Sequence, residues 1–124
     1  MDKSMDVIQK IFVLLPDFLP NGWKRLAFLA EYSEGSFCMK YYTQCGDGEY
    51  QDCYSLGIPR KDLNTLFLRI HSLIKPVRAE LKDKWTVMTL LVNDDGSFKV
   101  DYDYSDLTGR TLKYHDEWEK KYLH

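Results

Sequence analysis

Acidic side chains concentrated in one short stretch are the residues of this sequence best suited to chemistry. Between residues 93 and 106 five aspartates stand against a single base, Lys99. The aspartates are Asp94, Asp95, Asp101, Asp103 and Asp106. The net charge of this stretch is −4, whereas the rest of the chain sums to +2 and the whole chain to −2. Such a cluster could form a solvated strand face, a metal site or a surface that binds a protein.

The metal-site hypothesis rests on the spacing of the carboxylates. Asp101 and Asp103 are two residues apart, so on a strand their side chains share one face, about 7 Å apart. Together with Asp106 they could hold Mg²⁺ for phosphoryl chemistry, as in a small metal-dependent hydrolase or nuclease. The sequence places no evident general base beside them, which makes this the weaker hypothesis.

Protein binding explains the aromatic residues of the same stretch as well as its acids. Tyr102 and Tyr104 alternate with the aspartates, and aromatic anchors combined with complementary charge are typical of protein interfaces. The partner would have a basic surface, such as a nuclease presents to its nucleic acid. The candidate contact residues are therefore Asp94, Asp95, Asp101, Asp103, Tyr104 and Asp106.

Two further interpretations stay open. A charged face on an outer strand prevents pairing between sheet edges, and this explains the acids without any partner. Alternatively, Trp23, Trp85 and Trp118 could be partly exposed and form the docking patch of an adaptor domain. Tryptophan is highly buried on average, which disfavours that hypothesis.

The other reactive side chains predict no catalytic, metal or cofactor site. Cys38, Cys45 and Cys53 lack the paired spacing of a zinc site, so we expect reduced thiols and no bound metal. No histidine has a cysteine, serine or acid at catalytic spacing in the sequence. We therefore expect a protein without cofactor that is not an enzyme.

Length and composition predict one ordinary globular domain over residues 1–124. The chain is 44% hydrophobic and 29% charged, which favours a packed core over disorder. It has no apolar run long enough to span a membrane, and its N-terminal stretch lacks the features of a signal peptide, so we expect a cytoplasmic protein. The near-neutral charge also disfavours direct nucleic-acid binding.

The elements that must position the acidic stretch follow from hydrophobic periodicity and turn signals. We predict the order α-β-β-β-α-β-β-α, an α+β fold with an antiparallel sheet of about five strands packed against helices. The long helix is predicted behind a cap at Asp62, to cover one sheet face and to kink or split at Pro76. The third strand is predicted over residues 50–56.

The acidic stretch itself reads as a hairpin followed by a short helix. Residues 93–96 (NDDG) are a hairpin turn, and residues 97–104 alternate strictly, with the aspartates on one face and the aromatic residues on the other. The final helix carries an aromatic stripe at Tyr114, Trp118 and Tyr122.

These motifs, in this order, resemble the YezG-like immunity proteins, which are antitoxins. The resemblance rests on Gly22-Trp23-Lys24, the Tyr41-Tyr42 strand, Ile58-Pro59 before the long helix, Trp85-Thr86 opening the fourth strand, the run from Gly96 to Leu107, and Trp118 before Lys121-Tyr122-Leu123. The aromatic and acidic run over residues 96–107 is the most specific part.

The resemblance implies a function that the residues alone do not. YezG-like proteins neutralise the C-terminal toxin domains of bacterial polymorphic toxins, which are often nucleases. We therefore expect an immunity protein that binds a cognate toxin domain and blocks its active site or an adjacent exosite.

Overall fold

A computed structural model describes residues 3–33, 36–107 and 109–123 of the chain. Within these residues there are three α-helices and five strands, in the predicted order α-β-β-β-α-β-β-α. They are α1 (Lys3–Leu14), β1 (Arg25–Ser33), β2 (Ser36–Gln44), β3 (Gln51–Asp52), α2 (Arg60–Ala79), β4 (Val87–Asn93), β5 (Phe98–Asp103) and α3 (Thr111–Tyr122). The predicted α+β class is confirmed.

The strands form one antiparallel sheet in the order β3-β2-β1-β4-β5. β1 is central, because it pairs with β2 on one side and with β4 on the other. Every β1 residue from Leu26 to Tyr32 is buried, so both faces of the central strand are covered. β5 pairs only with β4 among the described strands, with Thr89 opposite Asp101 and Val87 opposite Asp103.

The third strand is much shorter than the predicted span of residues 50–56. Only Gln51 and Asp52 pair with β2, and the chain then enters a 3-10 turn over Cys53–Ser55. A 3-10 turn directs successive carbonyls along its own axis, so its residues cannot continue a ladder. On this side of the sheet, the ladder between β2 and β3 therefore covers only Tyr42 and Thr43 of β2.

The chain forms two compact units, one of which comprises residues 1–20 and 54–84. In this unit α1 contacts α2. Helix α2 runs unbroken through Pro76, so the predicted split is wrong. Pro76 cannot donate to the carbonyl of Ser72, but it lies in the last turn, so only three helical residues follow it. The helix begins after Pro59, which places Asp62 in the first turn instead of at the cap.

The second unit comprises residues 21–53 and 85–124, which contain the sheet and α3. Its core is a cluster of buried side chains from β1, β2, β4, the loop after β5, and α3: Ala27, Leu29, Tyr42, Val87, Leu107 and Trp118. Tyr114 and Tyr122 pack against this cluster, so the predicted aromatic stripe of α3 faces the sheet. Trp118 also donates from its indole Nε1 to the hydroxyl of Thr89, 2.9 Å away. This helix is consequently fixed over β4, next to the acidic strand.

Candidate partner-binding site

A tight hairpin turn places the acidic strand at the end of the sheet. Gly96 has a φ of 92°, a left-handed conformation that side chains rarely adopt. The amide of Gly96 donates to the carbonyl of Asn93 over 3.0 Å, which closes the turn. The register of β5 then sends Lys99, Asp101 and Asp103 to the sheet face on which α3 lies. The predicted alternation thus places the acids of β5 on one face of the sheet and its aromatic residues on the other.

Asp101 is half-buried between the sheet and α3. One carboxylate oxygen accepts a hydrogen bond from the hydroxyl of Tyr122 over 3.0 Å, and Lys99 lies 3.8 Å from the same oxygen. Burial, together with the hydrogen bond to Asp101, raises the pKa of Tyr122 to about 12. The phenol therefore stays protonated and continues to donate at every physiological pH.

Asp103, two residues further along β5 on the same face, is held in a similar way. Its carboxylate accepts the backbone amide of Ser105 over 2.8 Å and a hydrogen bond from Tyr114. Burial opposes ionisation of Asp103, but the hydrogen bonds from Ser105 and Tyr114 and the charge of Lys121 outweigh it and lower the pKa of this carboxyl. Asp103 is consequently a fixed, ionised carboxylate.

The two aspartates of the hairpin turn have different local roles. Asp94 forms an exposed ion pair with Lys24, with 3.3 Å between Nζ and the carboxylate oxygen. Asp95 accepts from the amide of Ser97 at 2.8 Å and from its hydroxyl at 2.6 Å. These hydrogen bonds lower the pKa of Asp95, which is fully exposed to solvent. Both carboxylates lie at the surface; that of Asp95 stabilises the turn, and that of Asp94 links the turn to Lys24.

The structure brings the predicted residues together as three neighbouring groups along one strand. Asp94 and Asp95 lie before β5, Asp101 and Asp103 lie within it, and Tyr104 and Asp106 follow it. Tyr104 is 58% exposed and Asp106 is exposed as well. We call these six residues the aspartate-rich surface.

A groove of about 620 Å³ runs between β5 and α3, and two aspartates of this surface line it. Its lining combines carboxylates, ammonium groups and aromatic rings: Thr89, Lys99, Asp101, Tyr102, Asp103, Tyr114, Glu117, Trp118, Lys121 and Tyr122. Such a surface can bind polar and basic side chains, since its carboxylates are oriented by tyrosine hydroxyls.

Two acidic features of the same unit were not predicted. Glu31 of β1 is 3% exposed and pairs with the ring of His115 in α3. A second groove of about 620 Å³ lies along the other flank of α3, where acids of the β2–β3 loop meet acids of the helix: Asp47, Glu49, Asp116 and Glu119. The spacing of Asp116, Glu119 and Lys120 in the sequence could have predicted a charged helix face. It could not have predicted that a distant loop approaches this face.

The metal and adaptor hypotheses find no support in the structure. Among residues 3–33, 36–107 and 109–123, no three histidine, cysteine, aspartate or glutamate side chains cluster closely enough to hold a metal ion. Trp23 is partly exposed, but Trp85 and Trp118 are only 5% and 3% exposed, so the three tryptophans do not form one exposed docking patch. Trp85 instead packs edge-on against Tyr32, with 5.5 Å between ring centroids. Trp85 and Trp118 therefore belong to the interior.

The three cysteines differ in their exposure. Cys38 and Cys45 are exposed, Cys53 is buried, and all three are free. Partial desolvation and the nearby charge of Glu31 raise the pKa of Cys38, and burial raises the pKa of Cys53, which disfavours the reactive thiolate form. None of the described helices combines the length and apolar character that crossing a membrane requires.

Comparison with known proteins identifies the family. Residues 5–124 match the immunity protein YezG-like family. Immunity protein YezG of Bacillus subtilis (strain 168) is 29% identical over 131 residues, covering 95% of this chain and 86% of the relative. Immunity protein YezG of Bacillus spizizenii (strain ATCC 23059 / NRRL B-14472 / W23) is 25% identical over 120 residues, covering 89% and 74%.

These matches confirm the resemblance that the sequence motifs indicated. Both relatives are named as immunity proteins, which confirms the prediction of a bacterial protein that is not an enzyme. An immunity protein has a cognate toxin as its partner. Since the family match spans nearly the whole sequence, this chain belongs to the immunity protein YezG-like family and has an immunity function.

Proposed function

We propose that this immunity protein neutralises a basic nuclease, the C-terminal domain of a polymorphic toxin, by binding it through the aspartate-rich surface. The bound protein occludes the active site of the toxin or an adjacent exosite. The observation that carries the proposal is the position of Asp101 and Asp103, which line a groove of about 620 Å³ as carboxylates oriented by Tyr122 and Tyr114.

Preorganisation makes these two carboxylates effective contacts. A free aspartate loses rotamer freedom when it binds, and this loss reduces affinity. The hydroxyl of Tyr122 and the amide of Ser105 already fix Asp101 and Asp103 in the unbound protein. An ionised carboxylate can accept about four hydrogen bonds, so Asp101 and Asp103 can also pair with an arginine or lysine of the partner.

Charge complementarity explains why the partner would be a nuclease. A nuclease binds the phosphate backbone through lysine and arginine side chains, so its substrate groove is strongly basic. The stretch with a net charge of −4 would steer such a groove towards this protein and accelerate association. An interface of about 1,600 Å² would be ordinary for a stable complex of this kind.

The proposed setting is the cytoplasm of the cell that makes the toxin. There the immunity protein protects against a toxin delivered between neighbouring cells by contact. Blocking the groove of a nuclease prevents cleavage without any reaction at the immunity protein, in agreement with a family that is not enzymatic.

A rescue experiment tests the nuclease assignment. The cognate toxin domain is produced in a host cell with or without this protein, and cell survival and the integrity of nucleic acid are measured. We expect degradation of DNA or RNA with the toxin alone and intact nucleic acid with both proteins. A toxin that kills cells while leaving nucleic acid intact would contradict the nuclease assignment.

Association kinetics test the aspartate-rich surface. In the double variant Asp101→Asn/Asp103→Asn the amide oxygens can still accept the hydrogen bonds of Tyr122 and Ser105, while two charges are lost. We expect association with the toxin domain about tenfold slower at low salt, and a weaker dependence of the rate on salt.

The matched control is the double variant Asp17→Asn/Asp83→Asn, which changes the net charge equally at exposed positions outside the surface. It is expected to keep the wild-type rate and salt dependence. Equal rates for the two double variants would show that net charge, and not this surface, governs association.

A further inference from the structure

The two edges of the sheet are built very differently. On one side β3 covers only two residues of β2, so that edge is divided between a two-residue strand and the remainder of β2. On the other side β5 has six residues, and among the described strands only β4 lies beside it. This second edge is long enough to pair with another extended chain.

Hydrogen bonds at the two ends of β5 show which backbone groups face away from β4. The amide of Asn93 donates to the carbonyl of Ser97 over 2.9 Å, and the amide of Thr86 donates to the carbonyl of Asp103 over 2.7 Å. In an antiparallel ladder, residues bonded to the neighbouring strand alternate with residues whose N–H and C=O point outward. Val100 falls in the outward phase, at the centre of the strand.

Charge decides which kind of chain this edge would accept. Pairing with β5 of a second copy would bring four aspartates and only two lysines to one face, and this excess of like charge disfavours a second copy. An extended segment rich in lysine or arginine would instead lie beside Asp101 and Asp103 on one face. Tyr104, which is 58% exposed, would flank it at the end of the strand.

We propose that β5 receives an extended, basic segment of the toxin as an additional antiparallel or parallel strand, bonded through the outward N–H and C=O of Val100. This inference rests on the proposed function for the basic character of the partner, and it adds the mode of binding. Strand addition supplies affinity through the main chain, while the aspartates select a basic segment.

Proline at the centre of the edge tests this mode. Proline is tolerated on edge strands where its nitrogen faces outward, so Val100→Pro should keep the sheet while removing the amide that the added strand needs. Val100→Ala is the matched control, because it shortens the side chain but keeps the amide. We expect the dissociation constant for the toxin domain to rise about tenfold or more in Val100→Pro relative to Val100→Ala. Equal dissociation constants for two folded variants would overturn strand addition.

Hydrogen exchange of the unmodified protein gives a second test that needs no variant. The amide of Val100 should exchange quickly in the free protein and become protected in the complex, whereas the amide of Asp101, in the phase bonded to β4, should be protected in both. No gain of protection at Val100 would overturn the proposal. A concentration-dependent dimer with Val100 already protected would show that a second copy occupies the edge, and would also overturn it.

These outcomes separate this inference from the proposed function. If Asp101→Asn/Asp103→Asn slows association while Val100→Pro binds like Val100→Ala, the charged surface is correct and strand addition is wrong. If Val100→Pro weakens binding while the aspartate variant associates normally, the edge is used and the electrostatic assignment fails.

Discussion

The hydroxyl of Tyr122 in α3 donates a hydrogen bond to a carboxylate oxygen of Asp101 in β5 over 3.0 Å. This contact joins the last helix to the edge strand, and it orients one of the aspartates proposed to bind the toxin. The stability of the unit and the geometry of its binding surface therefore depend on the same hydrogen bond.

Replacing Tyr122 by phenylalanine should lower the free energy of unfolding by about 1 kcal/mol, because a hydrogen bond to a charged, half-buried acceptor is lost. Urea denaturation followed by tryptophan fluorescence measures the change. Tyr104→Phe is the control, since Tyr104 is 58% exposed, and it should unfold like the wild type. Equal losses in both variants would show that the hydrogen bond to Asp101 makes no specific contribution to the free energy of unfolding.

Lowering the pH should destabilise the protein, in part because the carboxylate of Asp103 becomes protonated. Its pKa is lower in the folded state than the ordinary value of 3.8, so its contribution to stability is complete above that value and is lost as pH falls through the folded pKa. Melting temperatures measured from about pH 5 to about pH 2 should therefore fall less steeply in Asp103→Asn than in the wild type. Asp83→Asn, at an exposed position, should follow the wild-type curve. Parallel curves for all three proteins would contradict the prediction.

Replacing His115 by alanine should destabilise the protein, because Glu31 stays buried but loses its contact with the imidazole. Glu31 is 3% exposed, and in His115→Ala its carboxylate loses the imidazole partner. We expect a loss of about 2 kcal/mol in the free energy of unfolding. Adding Glu31→Gln to His115→Ala should recover part of this loss, since a neutral amide is less costly to bury than a carboxylate. A double variant less stable than His115→Ala would argue against the pair.

Gly96→Ala should destabilise the hairpin that leads into β5. At a φ of 92° alanine is strained, although its Cβ would meet no neighbouring atom within 4 Å. The expected loss is about 1 kcal/mol, and it comes from the backbone alone. Gly48→Ala is the control, because Gly48 does not have a left-handed φ and an added Cβ would lie 3.4 Å from the carbonyl oxygen of Cys45. Equal destabilisation of the two variants would contradict backbone strain as the cause.

Local pattern was sufficient to predict the helices, four of the five strands and the hairpin at residues 93–96. Strict alternation over residues 97–104 also separated Asp101 and Asp103 from the aromatic residues, as β5 shows. These features depend on side-chain period and turn geometry, which neighbouring residues determine. The resemblance that identified the family rests on the same local motifs.

Contacts between distant residues were decided only by the tertiary structure. Nothing near Asp101 in the sequence indicates that Tyr122 would bind its carboxylate, because the two residues meet only when α3 packs on the sheet. The same holds for Glu31 and His115, and for the β2–β3 loop that approaches the acids of α3. The sequence by itself determined which strand carries the charge. Packing decided that part of this charge lies in a groove, where tyrosine hydroxyls hold it in place.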